Sequence, residues 1–183
     1  MTAAADSGLL LAEKLNRVPD YIVGDMDSLP DPAILDKYPT DRVLRYPRKK
    51  DFTDTELGID LLREKGCDKI IILGGGGGRL DHLLAIFSLF HRASPPDVWL
   101  TDREEVTLIR SVFTLNGWRG RELSLMPMGR EPARMSSRGL RWPLDELVWD
   151  AGDFGISNVV EDDTAEIVVG SGRLLAIRSW RPQ

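Results

Sequence analysis

Gly24-Asp25-Met26-Asp27-Ser28 follows the apolar run Tyr21-Ile22-Val23, so two carboxylates stand at i and i+2 just past a predicted strand. Two bare carboxylates resist burial, because desolvating an unpaired ion is costly. A hard cation between them resolves the conflict, since Mg²⁺ takes oxygen ligands and commonly binds through one or two carboxylates plus substrate phosphates. Residues 48–56 add Asp51 and Asp54. Residues 74–82 add five consecutive glycines and then Arg79-Leu80-Asp81-His82. Glycines let backbone N–H groups close on a phosphate chain, and the helix start that follows carries partial positive charge.

Singly, each signal has a plain structural alternative. A D-x-D pair can be a solvated turn, and the glycine run lacks the Gly-Lys-Ser/Thr ending of a Walker loop. His82 alone reads as a helix-start residue, and Thr53 with Glu56 forms a capping-box pattern that is sufficient in itself. Arg48-Lys49-Lys50 reads as a solvated basic loop. The weight comes from three loops at the carboxyl ends of consecutive strands, where open α/β sheets bind ligands.

The elements that must hold these loops follow from the pattern. A helix is expected over residues 9–15 with Asp6 or Ser7 as its cap, and a strand over 21–23. Asp31-Pro32 opens a short helix to about Lys37, and a strand covers 43–46. A third helix runs from near Asp54 to before Gly66. Ile70-Ile71-Ile72-Leu73, apolar without alternation, is expected to be a strand buried on both faces of a parallel sheet. An apolar helix to about Arg92 and a strand at 98–100 complete an α/β half. Beyond residue 102 short β-rich runs take over: 106–109, 112–115, 123–126, 147–149, 167–169 and 174–177. They are punctuated by Asn116-Gly117, Met128-Gly129 and Gly170-Ser171-Gly172, the grammar of a small antiparallel sandwich or barrel. The expected fold is therefore an N-terminal parallel three-layer α/β domain over 1–102, followed by a C-terminal antiparallel β-sandwich over 103–183.

Composition narrows the classes. The apolar fraction of 42% and charged fraction of 29% are those of a folded globular chain. A net charge of −5 with no long basic stripe argues against a nucleic-acid surface. Cys67 is the only cysteine, which leaves no internal disulfide and no thiolate zinc cluster and fits a reducing compartment. No apolar run approaches the ~20 residues of a membrane span, and the first residues lack signal-peptide character. A cytoplasmic protein without membrane or nucleic-acid partners is expected.

The ordered segments Gly24-Asp25-Met26-Asp27-Ser28, Asp51-Phe52-Thr53-Asp54-Thr55-Glu56-Leu57 and Gly77-Gly78-Arg79-Leu80-Asp81-His82 resemble the motifs of thiamine pyrophosphokinases. Gly139-Leu140-Arg141-Trp142-Pro143-Leu144 is similar to that family's tryptophan motif, and Gly155-Ile156-Ser157-Asn158 to its later Ser-Asn motif. The resemblance implies diphosphate transfer from ATP to the hydroxyethyl group of thiamine, giving thiamine diphosphate and AMP. It also implies Mg²⁺ dependence and a homodimer with active sites at the subunit interface. Position by position, Asp25, Asp27 and Asp54 match the magnesium and catalytic aspartates, with Asp54 preferred over Asp27 as acceptor of the hydroxyl proton. Asp51 and Thr53 match polar positions near the phosphates. Gly77, Gly78, Arg79, Asp81 and His82 match the motif facing nucleotide and pyrophosphate. Trp142 matches the aromatic that stacks on thiamine, where an indole face gains a cation–π contribution of ~0.5–2 kcal/mol. Ser157 and Asn158 match residues lining the same pocket.

Family members carry a further strand and helix ahead of the segment that here reads Ala5-Asp6-Ser7-Gly8. One β-α unit, on the order of 25 residues with its loops, is therefore expected to be absent. Two other functions stay open at this level: a pterin-alcohol diphosphokinase, and a catalytically weak nucleotide- or thiamine-binding homologue. Trp142 and Ser157-Asn158 favour thiamine over an arbitrary alcohol.

Overall fold

The structure, a computed structural model, describes residues 1–180. They fall into two compact units, Met1–Ile70 and a second beginning at Ile71.

The first unit is a parallel three-stranded sheet, order β1-β2-β3, built from β1 (Ala3–Ala5), β2 (Tyr21–Gly24) and β3 (Val43–Arg45). Helix α1 (Gly8–Lys14) makes the β1–β2 crossover, and α2 (Asp54–Glu64) follows β3. Leu9 of α1, Ala4 and Ile22 share a core with Met26, Leu29 and Leu35, while Gly58 of α2 lies against Ala3. Alternation along β1 thus sends Ala4 to one face and Ala3 to the other, each covered by a helix. The capping box is present as expected: Thr53 Oγ1 accepts from Glu56 N, and Glu56 Oε2 accepts from Thr53 N at 2.7 Å. The segment Pro32–Lys37 is a 3₁₀ rather than an α-helix, capped by Asp31 accepting from Ala33 N. Strand β1 is new; three alanines carry little strand propensity, and pairing with β2 supplies what propensity does not.

The second unit opens with β4 (Ile71–Leu73), α3 (Leu80–Leu89) and β5 (Val98–Leu100). The β-rich part follows as β6 (Glu104–Ile109), β7 (Val112–Asn116), β8 (Glu122–Met128), β9 (Ala133–Arg138), β10 (Val148–Trp149), β11 (Gly155–Val159), β12 (Thr164–Ser171) and β13 (Arg173–Ser179). One sheet has the order β11-β8-β13-β6-β5-β4 and the other β10-β9-β12-β7. Leu115 and Ile167 of the smaller sheet and Leu123, Leu125 and Leu174 of the larger one meet in a single core, the arrangement of a β-sandwich.

The run at residues 70–73 departs from expectation. Strand β4 pairs in parallel with β5, and β5 then runs antiparallel to β6, so β4 is the edge of a mixed sheet. Ile70 and Ile72 are buried, but Ile71 and Leu73 are 50% and 55% exposed. Alternation along the strand puts Ile71 and Leu73 on the face opposite Ile70 and Ile72, and that face is exposed. The strands β9 and β11 were not anticipated either. Ala-Arg-Met-Ser-Ser-Arg and Gly-Ile-Ser-Asn-Val lack a clean apolar alternation, and a register shift interrupts β11 between Gly155 and Asn158.

Candidate active site

The acidic turn follows β2 directly. Gly24 takes φ +146°, and a Cβ there would stand 3.0 Å from Asp54 Cγ, so glycine is what lets the first residue of α2 lie against the turn. Met26 adopts φ +63° and buries its side chain in the core beneath. That anchoring turns Asp25 and Asp27 away from the core. Because β1 and β2 are parallel neighbours with Ala5 opposite Val23, the residues just past each strand are neighbours too. Carboxylate oxygens of Asp6, Asp25 and Asp27 consequently lie within 4.8 Å of one another.

The motif resemblance puts Asp25, Asp27 and Asp54 in one set, and the local pattern makes Asp6 only a candidate helix cap. The structure joins Asp6 to Asp25 and Asp27, and links Asp54 to Asp25 through Lys50, whose Nζ is 3.4 Å from Asp25 Oδ2 and 3.1 Å from Asp54 Oδ1. Lys50 is therefore not a solvated loop residue; its side chain is 14% exposed. Arg48 of the same basic run pairs with Asp27, Nε to Oδ2 at 3.1 Å. The missed signal at Asp6 was positional: an aspartate immediately after a strand, as Asp25 is after Gly24.

The charges respond to this packing. The backbone N–H of Asp27, donating to Asp25 Oδ1 at 3.2 Å, holds the Asp25 carboxyl below its ordinary value, and Lys50 adds to the effect. Burial pushes Asp54 the other way, above the ordinary carboxylate value, against the opposing pull of Lys50. Lys50 itself is lifted above its ordinary value by Asp54 and then Asp25, which outweigh the burial that disfavours its charge. Among the described residues, Asp6 Oδ1 is buried with no hydrogen-bond partner. An orphaned oxygen within a cluster of hard carboxylate donors fits a divalent cation of the Mg²⁺ type.

The remaining positions of the first unit have simpler roles. Asp51 is exposed, and Thr53 serves as the N-cap of α2.

In the second unit the glycine loop leaves β4 and enters α3. Trp99 Nε1 donates to Gly74 O at 2.6 Å, and Gly74 N donates to Leu100 O at 2.8 Å, which ties the loop's start to β5. Gly75 at φ +71° leaves room for Ile86. Gly77 and Gly78 have nothing within 4 Å of where a Cβ would stand, so their backbone is open to a ligand. Arg79 is the N-cap residue of α3, and its Nε donates to Asp81 Oδ1 at 3.1 Å. The Arg79 guanidinium holds the Asp81 carboxyl below its ordinary value. Asp81 also accepts from the backbone N of His82, whose residue is exposed at the helix start. Trp99, which no motif marks, is the further contributor here.

The same unit carries an apolar cavity of about 170 Å³ whose lining includes Leu125, Trp142, Leu147, Trp149, Ile156 and Asn158. Trp142 is 54% exposed. Asn158, buried, grips its backbone from both sides: Trp142 N donates to Asn158 Oδ1 at 3.2 Å, and Asn158 Nδ2 donates to Trp142 O at 2.7 Å. Gly155 makes room for Trp149, whose Cη2 lies 2.8 Å from where a Cβ would be. Ser157 sits at φ +58° in the irregular part of β11, its N donating to Ser124 Oγ at 3.1 Å. Trp142 and Asn158 are thus brought to one pocket; Ser157 is next to it in the chain but is not among its lining residues.

Fold and site define a class: a parallel α/β unit bearing a carboxylate cluster, joined to a β-sandwich with an indole-walled pocket. Two family models match in order. Residues 1–100 match "Thiamin pyrophosphokinase, catalytic domain", and residues 111–174 match "Thiamin pyrophosphokinase, vitamin B1 binding domain". The chain belongs to the thiamin pyrophosphokinase family. It is similar to thiamine pyrophosphokinase 1 of Oryza sativa subsp. japonica, with 28% identity covering 87% of this chain and 66% of that protein. Thiamine pyrophosphokinase 2 of Arabidopsis thaliana is 27% identical, over 87% of this chain and 65% of its own. The chain thus spans slightly less than two thirds of these curated relatives. The solved thiamin pyrophosphokinase of Geobacillus thermodenitrificans superposes with a TM-score of 0.76 at 25% identity, over 99% of this chain and 86% of that one. That of Bacillus subtilis shares the fold with a TM-score of 0.81 at 23% identity, over 98% and 87% of the two chains.

Proposed function

We propose that this chain transfers a diphosphate group from ATP to thiamine, releasing thiamine diphosphate and AMP, with Mg²⁺ at the carboxylate cluster. The observation that carries the reading is the cluster of Asp6, Asp25 and Asp27 in a chain whose later residues match a vitamin B1 binding domain. In this reading residues 1–102 serve ATP and metal and residues 103–183 serve thiamine, in keeping with the extents of the two family matches.

Asp25 and Asp27, with Asp6 and Asp54, would hold the ion, which supplies charge neutralisation on the phosphate chain. The hydroxyl oxygen of thiamine bonds to the β-phosphorus, the bond from that phosphorus to the oxygen bridging the α- and β-phosphates breaks, and AMP leaves with the bridging oxygen. The hydroxyl proton passes to a carboxylate, for which Asp54, at the start of α2 and paired with Lys50 beside the acidic turn, is the preferred candidate. The open backbone at Gly77 and Gly78, with Arg79, serves the phosphates. Trp142 stacks on the thiazolium, and Asn158 fixes its backbone. Trp142, Phe154 and Ile156 are exposed apolar side chains of the kind that the homodimer expected for the family would cover. Among the described residues no helix is long and apolar enough to cross a membrane, and we take the setting to be the cytoplasm.

The test is AMP release from ATP and Mg²⁺ with and without thiamine. Thiamine-dependent AMP is expected. AMP formed only with a hydroxymethyl pterin, or none with either alcohol, overturns the reading.

A further inference from the structure

We propose that Lys50 is a displaceable counter-cation, its ammonium keeping the place between Asp25 and Asp54 until a divalent ion enters the carboxylate cluster. The inference rests on the reading of that cluster as a metal site. Lys50 Nζ spans the two carboxylates at 3.4 and 3.1 Å, and all three side chains are shielded, at 14%, 14% and 19% exposed. Without that ammonium, Asp54 Oδ1, which is buried and has no other partner, would lose its ion pair and face the Asp25 carboxylate. Like charges so placed repel, and a shielded site screens them poorly.

Asp25 belongs to both arrangements. It contributes an oxygen to the cluster with Asp6 and Asp27, and it is the partner of Lys50. A divalent ion on Asp25 repels an ammonium held on the same carboxylate, so the two compete. Lysine suits the part, because a compact charge on a flexible four-carbon stem can leave by rotamer change, where a planar guanidinium locks in bidentate pairs. It also sits in the connection between β3 and α2, so its departure requires no change in either element. Asp54, released from Nζ, is then free to turn toward the ion.

Three substitutions test this on the full chain, read by Mn²⁺ binding in electron paramagnetic resonance and by thermal unfolding in EDTA and in Mg²⁺. Removing a competitor of this kind changes affinity within a range of roughly 5–150-fold. Lys50→Met is expected to bind Mn²⁺ about tenfold tighter than wild type, to unfold earlier in EDTA, and to recover in Mg²⁺. Lys50→Gln is read in the same way if the methionine variant does not fold. Lys50→Arg keeps a cation in place, so it should retain wild-type behaviour in EDTA and gain no affinity. Unchanged or weaker Mn²⁺ binding in the neutral variants, with wild type binding normally, overturns the counter-cation role alone. Absence of Mn²⁺ binding by wild type overturns this inference and the metal reading of the cluster with it.

Discussion

Asn158→Ala is expected to loosen the tryptophan motif even when no ligand is bound. The buried amide makes three hydrogen bonds: Nδ2 to Trp142 O at 2.7 Å, Trp142 N to Oδ1 at 3.2 Å, and Val159 N to Oδ1 at 2.8 Å. Each intramolecular hydrogen bond contributes about 0.5–1.5 kcal/mol net, and a buried group left unpaired costs about 1–3 kcal/mol. Truncation removes all three and strands backbone groups at Trp142 and Val159. A loss of about 2–4 kcal/mol follows. The neighbouring bond from Arg141 N to Val159 O, at 2.8 Å, survives, so the damage stays local to Trp142 and the turn beyond it. In a chain of this length each kcal/mol moves the midpoint by about 2–4 °C, which gives a drop on the order of 4–16 °C. Thermal unfolding followed by circular dichroism, with amide exchange at Trp142 and Val159, measures both effects. Asn158→Asp serves as a companion: it keeps an oxygen to accept from Trp142 N and Val159 N but loses the donor to Trp142 O and brings a charge into a site only 5% exposed. A midpoint for the alanine variant within about 1 °C of wild type, with Trp142 still protected, would refute the latch and return Asn158 to a purely ligand-contacting role.

Other outcomes follow from the same geometry. Trp142→Ala should weaken thiamine binding in calorimetry by roughly 2–30-fold, the equivalent of the lost cation–π contact, while ATP binding is unaffected; unchanged thiamine affinity would count against stacking. Gly24→Ala sets a Cβ 3.0 Å from Asp54 Cγ at a φ of +146°, so it should reduce Mn²⁺ affinity and displace Asp54 in a crystal structure. A variant with native metal affinity would show that Asp54 need not lie against the turn. Asp20→Asn tests a pH effect, since Thr2 N donates to Asp20 Oδ2 at 2.8 Å and holds that carboxyl below its ordinary 3.8. A depressed folded pKa adds stability above the unfolded value, and that stability is lost as pH falls through the folded one. The variant should therefore be less stable than wild type at neutral pH, with the gap narrowing below pH 3.8. A gap that stays constant from neutral pH to about pH 2 would exclude the ionised carboxylate as its source.

Local chemistry explains what was legible in the chain. The capping box of Thr53 and Glu56, the Asp31-Pro32 start and the glycine run are encoded within a few residues, so they could be read directly. The change from helix-strand alternation to short β runs likewise marks where the antiparallel strands β6 to β13 begin. The motif residues Asp25, Asp27, Trp142 and Asn158 were identifiable as a set, but their partners were not. Asp6 meets Asp25 only because β1 and β2 lie in parallel with Ala5 opposite Val23, a register that no local signal in three alanines specifies. Lys50 looked like part of a solvated basic run; its position between Asp25 and Asp54 exists only once the β3–α2 connection is folded against the turn. Asn158 likewise acquires its hold on Trp142 across sixteen residues, through an interruption in β11 that the sequence did not announce. Residue types and caps are local properties of the chain. Register, edge position and the pairing of distant charges arise from packing, and tertiary structure alone decided them.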